Sequence, residues 1–258
     1  MAINKKLIHF KNKENFENEV ANENILDKSI VFIQDSKEIS THGTVYKSIN
    51  WNVLDSKYNF IDLGLPSKTL WADRNIGASS LGNSGLYFAW GEIEGYSRDS
   101  FTRQFNWGSY KFCNGTEKTL TKYNFNESYG IVDNLVELEE EDDAAFNDES
   151  ILRIPTWSQI QELISNTTIQ YVSNFEDSGV NGLKFISKIN SNFIFIPSSG
   201  GIANGEVSGY NQYGYLLGRT LKSDNPRNIL DYYWDTRLGQ GNMPRAFGIP
   251  YRPILKIN

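Results

Sequence analysis

Residues 60–92, FIDLGLPSKTLWADRNIGASSLGNSGLYFAWGE, carry more information about the fold than any other stretch of this chain. They hold Trp71 and Trp90, a Leu63-Gly64-Leu65-Pro66 turn and five glycines. A short apolar strand, Gly/Pro punctuation and a second apolar-aromatic run from Leu86 to Trp90 predict a tightly folded, loop-rich core. The stretch contains no evident nucleophile, metal cage or phosphate cradle. Its glycines miss the phosphate-loop spacings, so they are assigned to turns and close packing.

Outward from this stretch, the bulk composition agrees. The chain has 258 residues, 39% hydrophobic and 14% aromatic, which excludes disorder as a general state and allows a sizeable core. Many glycines and few helically periodic segments favour strands and long loops over a helical bundle. A net charge of −6 argues against nucleic acid as the main partner. Between Lys122 and Arg153 every charged residue is acidic, whereas from Arg219 onward seven Lys/Arg face three Asp. The single cysteine, Cys113, permits neither an intrachain disulfide framework nor a cysteine-based zinc site. The start, MAINKKLIHF, has no apolar signal-peptide core, and there is no 18-residue apolar run. The expectation is a protein made in the cytoplasm without an export signal of its own and not inserted in a membrane.

Two domains are expected, 1–57 and 58–258. In the first, Lys11–Asn24 predicts a short amphipathic helix capped by Asn12, with Phe16 and Val20 four apart. Ser29–Asp35 reads as a strand, Asp35–Glu38 as a turn, and Ile39–Ser48 as a second strand with a bulge at Gly43. His9 and His42, the two histidines, are assigned no chemistry. A helix and one hairpin bury too little to stand alone, so this module is expected to dock on the larger domain, on copies of itself or on another protein. In the second domain, Ile154-Pro155-Thr156-Trp157-Ser158-Gln159 opens the clearest helix. Thr156 and Gln159 form a capping box, and Trp157, Ile160, Leu163 and Ile164 a stripe. Gly182–Ser187, Asn192–Pro197 and Gly214–Gly218 read as strands, with turns at Ser198–Gly201 and Ala203–Gly205. Tyr232–Asp235 and Phe247–Leu255 close the domain on aromatic and apolar strand.

Residues 8–46, IHFKNKENFENEVANENILDKSIVFIQDSKEISTHGTVY, resemble a segment at the start of virion fibre and tail proteins of crAss-like Bacteroides phages. The resemblance implies an anchoring or oligomerising module in a virus particle, and a homotrimer. The larger domain resembles the Fibrobacter succinogenes major paralogous domain. The matching marks are FIDLGLPSKTLWADRNIGA, GLYFAWGE, NWGSYKFCNG, the LTKY run, LEEEDDAA, RIPTWSQIQELI and FGIPYRPI, in the family's order over about 200 residues. That family is related to the C-type lectin fold and, more distantly, to formylglycine-generating enzymes. The resemblance implies an α+β, C-type-lectin-like domain rich in loops and short antiparallel strands. Trp71, Trp90, Gly91, Pro155, Trp157 and Arg252 stand at its marked positions and are expected to pack the core or pin loops.

Three chemistries can be weighed on the residues. Oxidative formylglycine chemistry needs reactive cysteines, and only Cys113 is present. Calcium-bridged sugar binding in C-type lectins uses Glu-Pro-Asn or Gln-Pro-Asp with Trp-Asn-Asp; Asp224-Asn225-Pro226-Arg227 and Trp234-Asp235-Thr236 match neither. No pair of carboxylates stands out as a glycosidase pair. Glu141, Asp142 and Asp143 are weak candidates for a divalent cation such as calcium, against the alternative of a solvated acidic loop. The expectation is therefore a protein that is not an enzyme and needs no cofactor. The stronger pattern is the C-terminal cluster Tyr210, Tyr213, Arg219, Asn225, Arg227, Tyr232, Tyr233, Trp234, Asp235 and Arg237, with Tyr215 between. Tyr, Trp, Arg and Asn suit adaptable recognition surfaces, while the strand-like spacing of Tyr213 and Tyr215 also allows core positions. The functional expectation is a head or tail fibre component displaying this cluster to a bacterial surface glycan or protein, attached to other virion proteins through residues 1–57. The alternative is a capsid or tail decoration protein with an assembly role.

Overall fold

The computed structural model describes residues 56–255 and, before them, the backbone of four strands. The chain divides into two compact units, 1–57 and 58–258.

In the first unit β1 (Leu7–Phe10), β2 (Ile30–Ile33), β3 (Glu38–Thr41) and β4 (Thr44–Lys47) form one sheet in that order. β1 runs parallel to β2, with Leu7 opposite Ile30, and the other pairs are antiparallel. The strand expected from Ser29 exists as β2. The single strand expected over Ile39–Ser48 is instead a hairpin, because Thr41 pairs with Thr44 and only two residues separate β3 from β4. His42 and Gly43 lie outside the described residues, as do the expected helix over 11–24 and all of the expected turn Asp35–Glu38 except Glu38, which opens β3. β1 was not expected from its sequence.

The second unit is a mixed α+β, sheet-rich fold built mostly from antiparallel strands. In chain order it has β5 (Phe60–Asp62), β6 (Leu70–Ala72), α1 (Ala144–Asp148), β7 (Leu152–Arg153), α2 (Trp157–Asn166), β8 (Thr167–Val172), β9 (Gly182–Ser187) and β10 (Phe193–Pro197). There follow β11 (Gly201–Ala203), β12 (Glu206–Ser208), β13 (Gly214–Leu221), β14 (Asn228–Trp234), β15 (Leu238–Pro244) and β16 (Ile254–Leu255). The sheets are β5-β6-β16-β7, β10-β9-β8, β11-β12 and β13-β14-β15. β16 lies between β6 and β7, with Ile254 opposite both Trp71 and Arg153. The end of the fold is thus woven into its opening stretch.

α2 forms where its capping box predicts. The Thr156 hydroxyl accepts from the Gln159 N–H at 3.3 Å, and the Gln159 side chain accepts from the Thr156 N–H at 2.9 Å. Ile160 and Leu163 then join Leu63, Leu65, Trp71, Leu183, Phe185, Ile194, Ile196, Leu216, Trp234 and Ile254 in the main core. Two glycines are dictated by space. Gly85 has φ +74°, and a Cβ there would stand 2.2 Å from the Ile76 carbonyl oxygen. A Cβ on Gly214 would stand 2.1 Å from the Trp234 indole that covers it.

Two buried arginines fasten loops to this core. Arg252 donates to the Asn75 side chain at 2.9 Å and to the carbonyls of Ala72, Asp73 and Phe195 at 3.2, 3.0 and 2.8 Å. Burial brings its pKa down to about 9, and the four acceptors keep the cation tolerable. Arg245 donates to the carbonyls of Tyr123 and Lys122 at 2.7 and 2.8 Å, and lies beside the rings of Trp90 and Tyr110. The Trp90 indole in turn donates to the Gly218 carbonyl at 3.1 Å.

Candidate binding surface

The residues expected to form one display surface divide between core and solvent. On β14 strand alternation puts the neighbours Tyr233 and Trp234 on opposite faces, and exposure also changes along each face. Trp234 is fully buried and donates to the Ser198 hydroxyl at 3.1 Å. Tyr232, on the same face of β14, stacks on Trp157 with ring centroids 5.0 Å apart and planes 14° apart. Both lie on strand β14, Trp234 inside the core and Tyr232 packed against it, which corrects their assignment to a display loop. The reason is that Gly214 opposite Trp234 leaves the space an indole fills.

Two arginines are also engaged elsewhere. Arg219 hydrogen-bonds the Leu138 carbonyl and approaches Glu137 at 3.9 Å. Arg227 pairs with Glu117 at 2.8 Å, donates its Nε–H to the Asn225 side-chain oxygen at 3.2 Å, and lies over the Tyr129 ring at 4.6 Å. Arg219 and Arg227 therefore tie the last sheet to preceding loops, and Asn225 braces Arg227 within the β13–β14 turn. Asp235 is exposed and accepts the N–H groups of Thr236 and Arg237, so its carboxylate shapes the β14–β15 turn; Arg237 is exposed beside it. Tyr210, Tyr213 and Tyr233 remain outward, at 38, 45 and 44% exposure. Tyr215, half-buried, sits opposite Tyr233 across β13 and β14.

Next to Tyr233 on β14 is Asp231, on the same face. It is buried, accepts from the Gly241 backbone N–H, and its Oδ1 has no hydrogen-bond partner among the described residues. Burial pushes its pKa up to about 6.

The acidic stretch does not form an open cation cage. Asp143 is the N-cap of α1 and accepts from the N–H groups of Ala145 and Phe146 and from Ile154. Glu139, Glu141 and Asp142 do converge, but the Lys122 ammonium stands among them, 2.5 Å from Glu139, 3.7 Å from Glu141 and 2.6 Å from Asp142. Lys111 adds a second cation at 2.9 Å from Asp142, and the Tyr123 hydroxyl donates to it at 2.8 Å. Burial disfavours the Asp142 charge, yet the bonds from Lys122, Lys111 and Tyr123 hold its carboxyl below the usual range. The expected trio Glu141, Asp142 and Asp143 is therefore corrected. Asp143 is a helix cap, whereas Asp142 and the exposed Glu141 converge with Glu139 around Lys122. Cys113 is buried, donates to the Trp107 carbonyl at 3.0 Å, and has its thiol pKa raised by burial, the opposite of a reactive thiolate.

The concave surface lies elsewhere. A depression of about 240 Å³ is lined by Ser80, Gly82–Gly85, Ser97–Asp99, Ser178, Val180 and Tyr210. A second, of about 400 Å³, lies against it and shares Ser80, Gly82 and Ser178; it continues to Asn59, Asp73, Arg74 and Phe175. Together they make one trough. The Arg98 guanidinium lies 3.6 Å over the Tyr210 ring and donates to Asp99 at 3.0 Å. At the other end Arg74 approaches Asp73 at 3.4 Å, and Asp73 also accepts the Asn59 side chain at 2.9 Å. The wall at Ser178–Val180 is fixed to the Tyr210 turn through Asn211. Its side chain accepts from the Asn181 N–H at 2.7 Å and donates to the Gly179 carbonyl at 3.0 Å. Asn174, Glu176 and Asp177 in that wall all have positive φ, between 48 and 58°. Such backbone is held only where its surroundings over-determine it.

Of the trough's lining, sequence reasoning had singled out only Tyr210. The signal available was the run of small polar residues in ASSLGNSG and SRDS, which reads equally well as ordinary loop. Comparison with family models, with curated proteins and with solved structures gives no match for this chain.

Proposed function

We propose that this chain is a recognition protein of a phage particle, a head or tail fibre component, that binds a bacterial surface glycan or protein without catalysis. Residues 1–57 serve as the anchoring and oligomerising module, joining three copies and other virion proteins. The larger unit, read as C-type-lectin-like, carries the recognition surface. The observation that carries this reading is the exposure of Tyr210, Tyr213 and Tyr233 on elements anchored by buried neighbours. Large rings held rigidly at a surface give contact area at low entropy cost. The resemblance of residues 8–46 to the start of phage fibre and tail proteins supports the virion placement. The engagement of Cys113, Asp142 and Asp143 in structural contacts favours binding over chemistry at those groups.

The test has two arms. Proteomics of purified particles is expected to find the chain in stoichiometric copies, and the purified full chain is expected to bind host cells or a glycan array. Absence from particles contradicts the virion reading. A folded chain that binds neither cells nor glycans contradicts the recognition reading and favours a decoration role.

A further inference from the structure

We infer that the trough between Arg98–Tyr210 and Asp73–Arg74 is a metal-independent site for an extended, uncharged oligosaccharide. The inference rests on the recognition reading above and assigns that recognition to one place. Three features of the trough select this ligand class.

The first is size and shape. The depression of about 240 Å³ falls below the range of small-molecule sites, about 300–1,000 Å³, and its neighbour of about 400 Å³ falls inside it. Two basins meeting at Ser80, Gly82 and Ser178 suit a ligand of at least two linked units rather than one compact molecule.

The second is the polar lining. A sugar hydroxyl both donates and accepts, so it is matched by donors and acceptors side by side. Arg98 with Asp99 supplies such a pair at one end, and Arg74 with Asp73 at the other. The hydroxyls of Ser80, Ser84, Ser97 and Ser178 and the amide of Asn83 lie between them. Each guanidinium already faces a carboxylate, which lowers its attraction for a phosphate or sulfate ester. The apolar side chains of Leu81, Phe175, Val180 and Tyr210 are interspersed with these polar groups, which suits the mixed polar and apolar faces of a sugar ring.

The third is rigidity. Tyr210 holds the Arg98 guanidinium flat, and Asn211 clamps the Ser178–Val180 wall to the Tyr210 turn. The groups are fixed before binding, which reduces the ordering cost of association. The carboxylates that converge at Glu139, Glu141 and Asp142 surround Lys122 on a different set of loops, so binding in the trough has no use for calcium.

The experiment is an array of neutral and acidic bacterial oligosaccharides probed with the full chain in EDTA. It is repeated with Ser80→Trp, which fills the junction from an exposed position, and with Arg98→Met. Thermal melting checks that both variants stay folded. The expected result is binding of neutral oligosaccharides of two or more units, weakened about tenfold or more by each substitution. If the wild-type chain binds the array and Ser80→Trp binds equally well, recognition stands but the trough assignment falls. If binding is confined to acidic glycans and disappears at roughly 1 M salt, the charge-compensated site is wrong. Loss of binding in EDTA with recovery in calcium overturns metal independence. A folded wild-type chain that binds no glycan removes the recognition reading's glycan branch and the trough with it.

Discussion

The opening stretch, residues 60–92, and the C-terminal segment, residues 210–237, are both rich in aromatic residues, yet they use them oppositely. In the first, Trp71, Tyr87 and Trp90 are all buried, and Tyr87 donates to the Ser199 carbonyl at 2.5 Å. In the second, Trp234 is buried while Tyr210, Tyr213 and Tyr233 face outward. Residue type does not separate the two regions. Register does: Tyr233 and Trp234 are chain neighbours on β14, and alternation sends one to solvent and the other into the core.

The sharpest way to break this comparison is to truncate the two neighbours in turn. Trp234→Ala removes a buried indole and its bond to Ser198, and is expected to cost about 3–5 kcal/mol in urea unfolding. Tyr233→Ala on the exposed face is expected to cost less than about 1 kcal/mol. Equal losses would mean that the alternation does not sort core from surface.

A smaller effect with a defined pH dependence is expected at Asp231. Its folded pKa of about 6 lies above the ordinary carboxylate value, so the folded state binds its proton more tightly than the unfolded state does. Its contribution to stability is therefore greatest below about pH 4, is lost as pH rises between about 4 and 6, and stays at its lower level above that. Asp231→Asn is expected to raise stability at pH 7 by roughly 1–3 kcal/mol and to flatten the slope between those pH values. A destabilised variant, or an unchanged slope, would show that the orphaned Oδ1 has a partner in solution.

Next in size is the cap of α2. Thr156→Ala removes one half of the capping box and is expected to cost about 1 kcal/mol, while Thr156→Ser restores most of it. Smallest of all is the response to calcium. With the Lys122 ammonium among Glu139, Glu141 and Asp142, millimolar calcium is expected to leave the melting temperature unchanged. A clear rise would show that the cation displaces the lysine.

What the sequence revealed follows from the range of the interactions involved. The α2 helix was legible because its cap and stripe lie within ten residues, and β9 because its apolar run is bounded by turn residues. β15, LGQGNMP, was not legible, since its glycines have low strand propensity. They are accommodated because Tyr233 and Asp231 of β14 lie over Gly239 and Gly241. β8 was missed because it follows α2 directly, with Thr167 both closing the helix and opening the strand. The Arg219 and Arg227 contacts could not be read locally, because Leu138 and Glu117 are 81 and 110 residues away. The trough was illegible for the same reason. Ser80, Arg98, Ser178 and Tyr210 come from four separate loops, and each loop alone is only a polar turn.

The most direct test of recognition on a preformed surface is backbone amide chemical-shift mapping of the full chain with a neutral oligosaccharide selected on the array. The account predicts the largest shifts at Ser80–Gly85, Ser97–Asp99, Ser178–Asn181 and Tyr210–Tyr213, with the amides around Trp71 and Trp90 unmoved. Shifts centred on Glu139–Asp142, or spread evenly through the core, would contradict it.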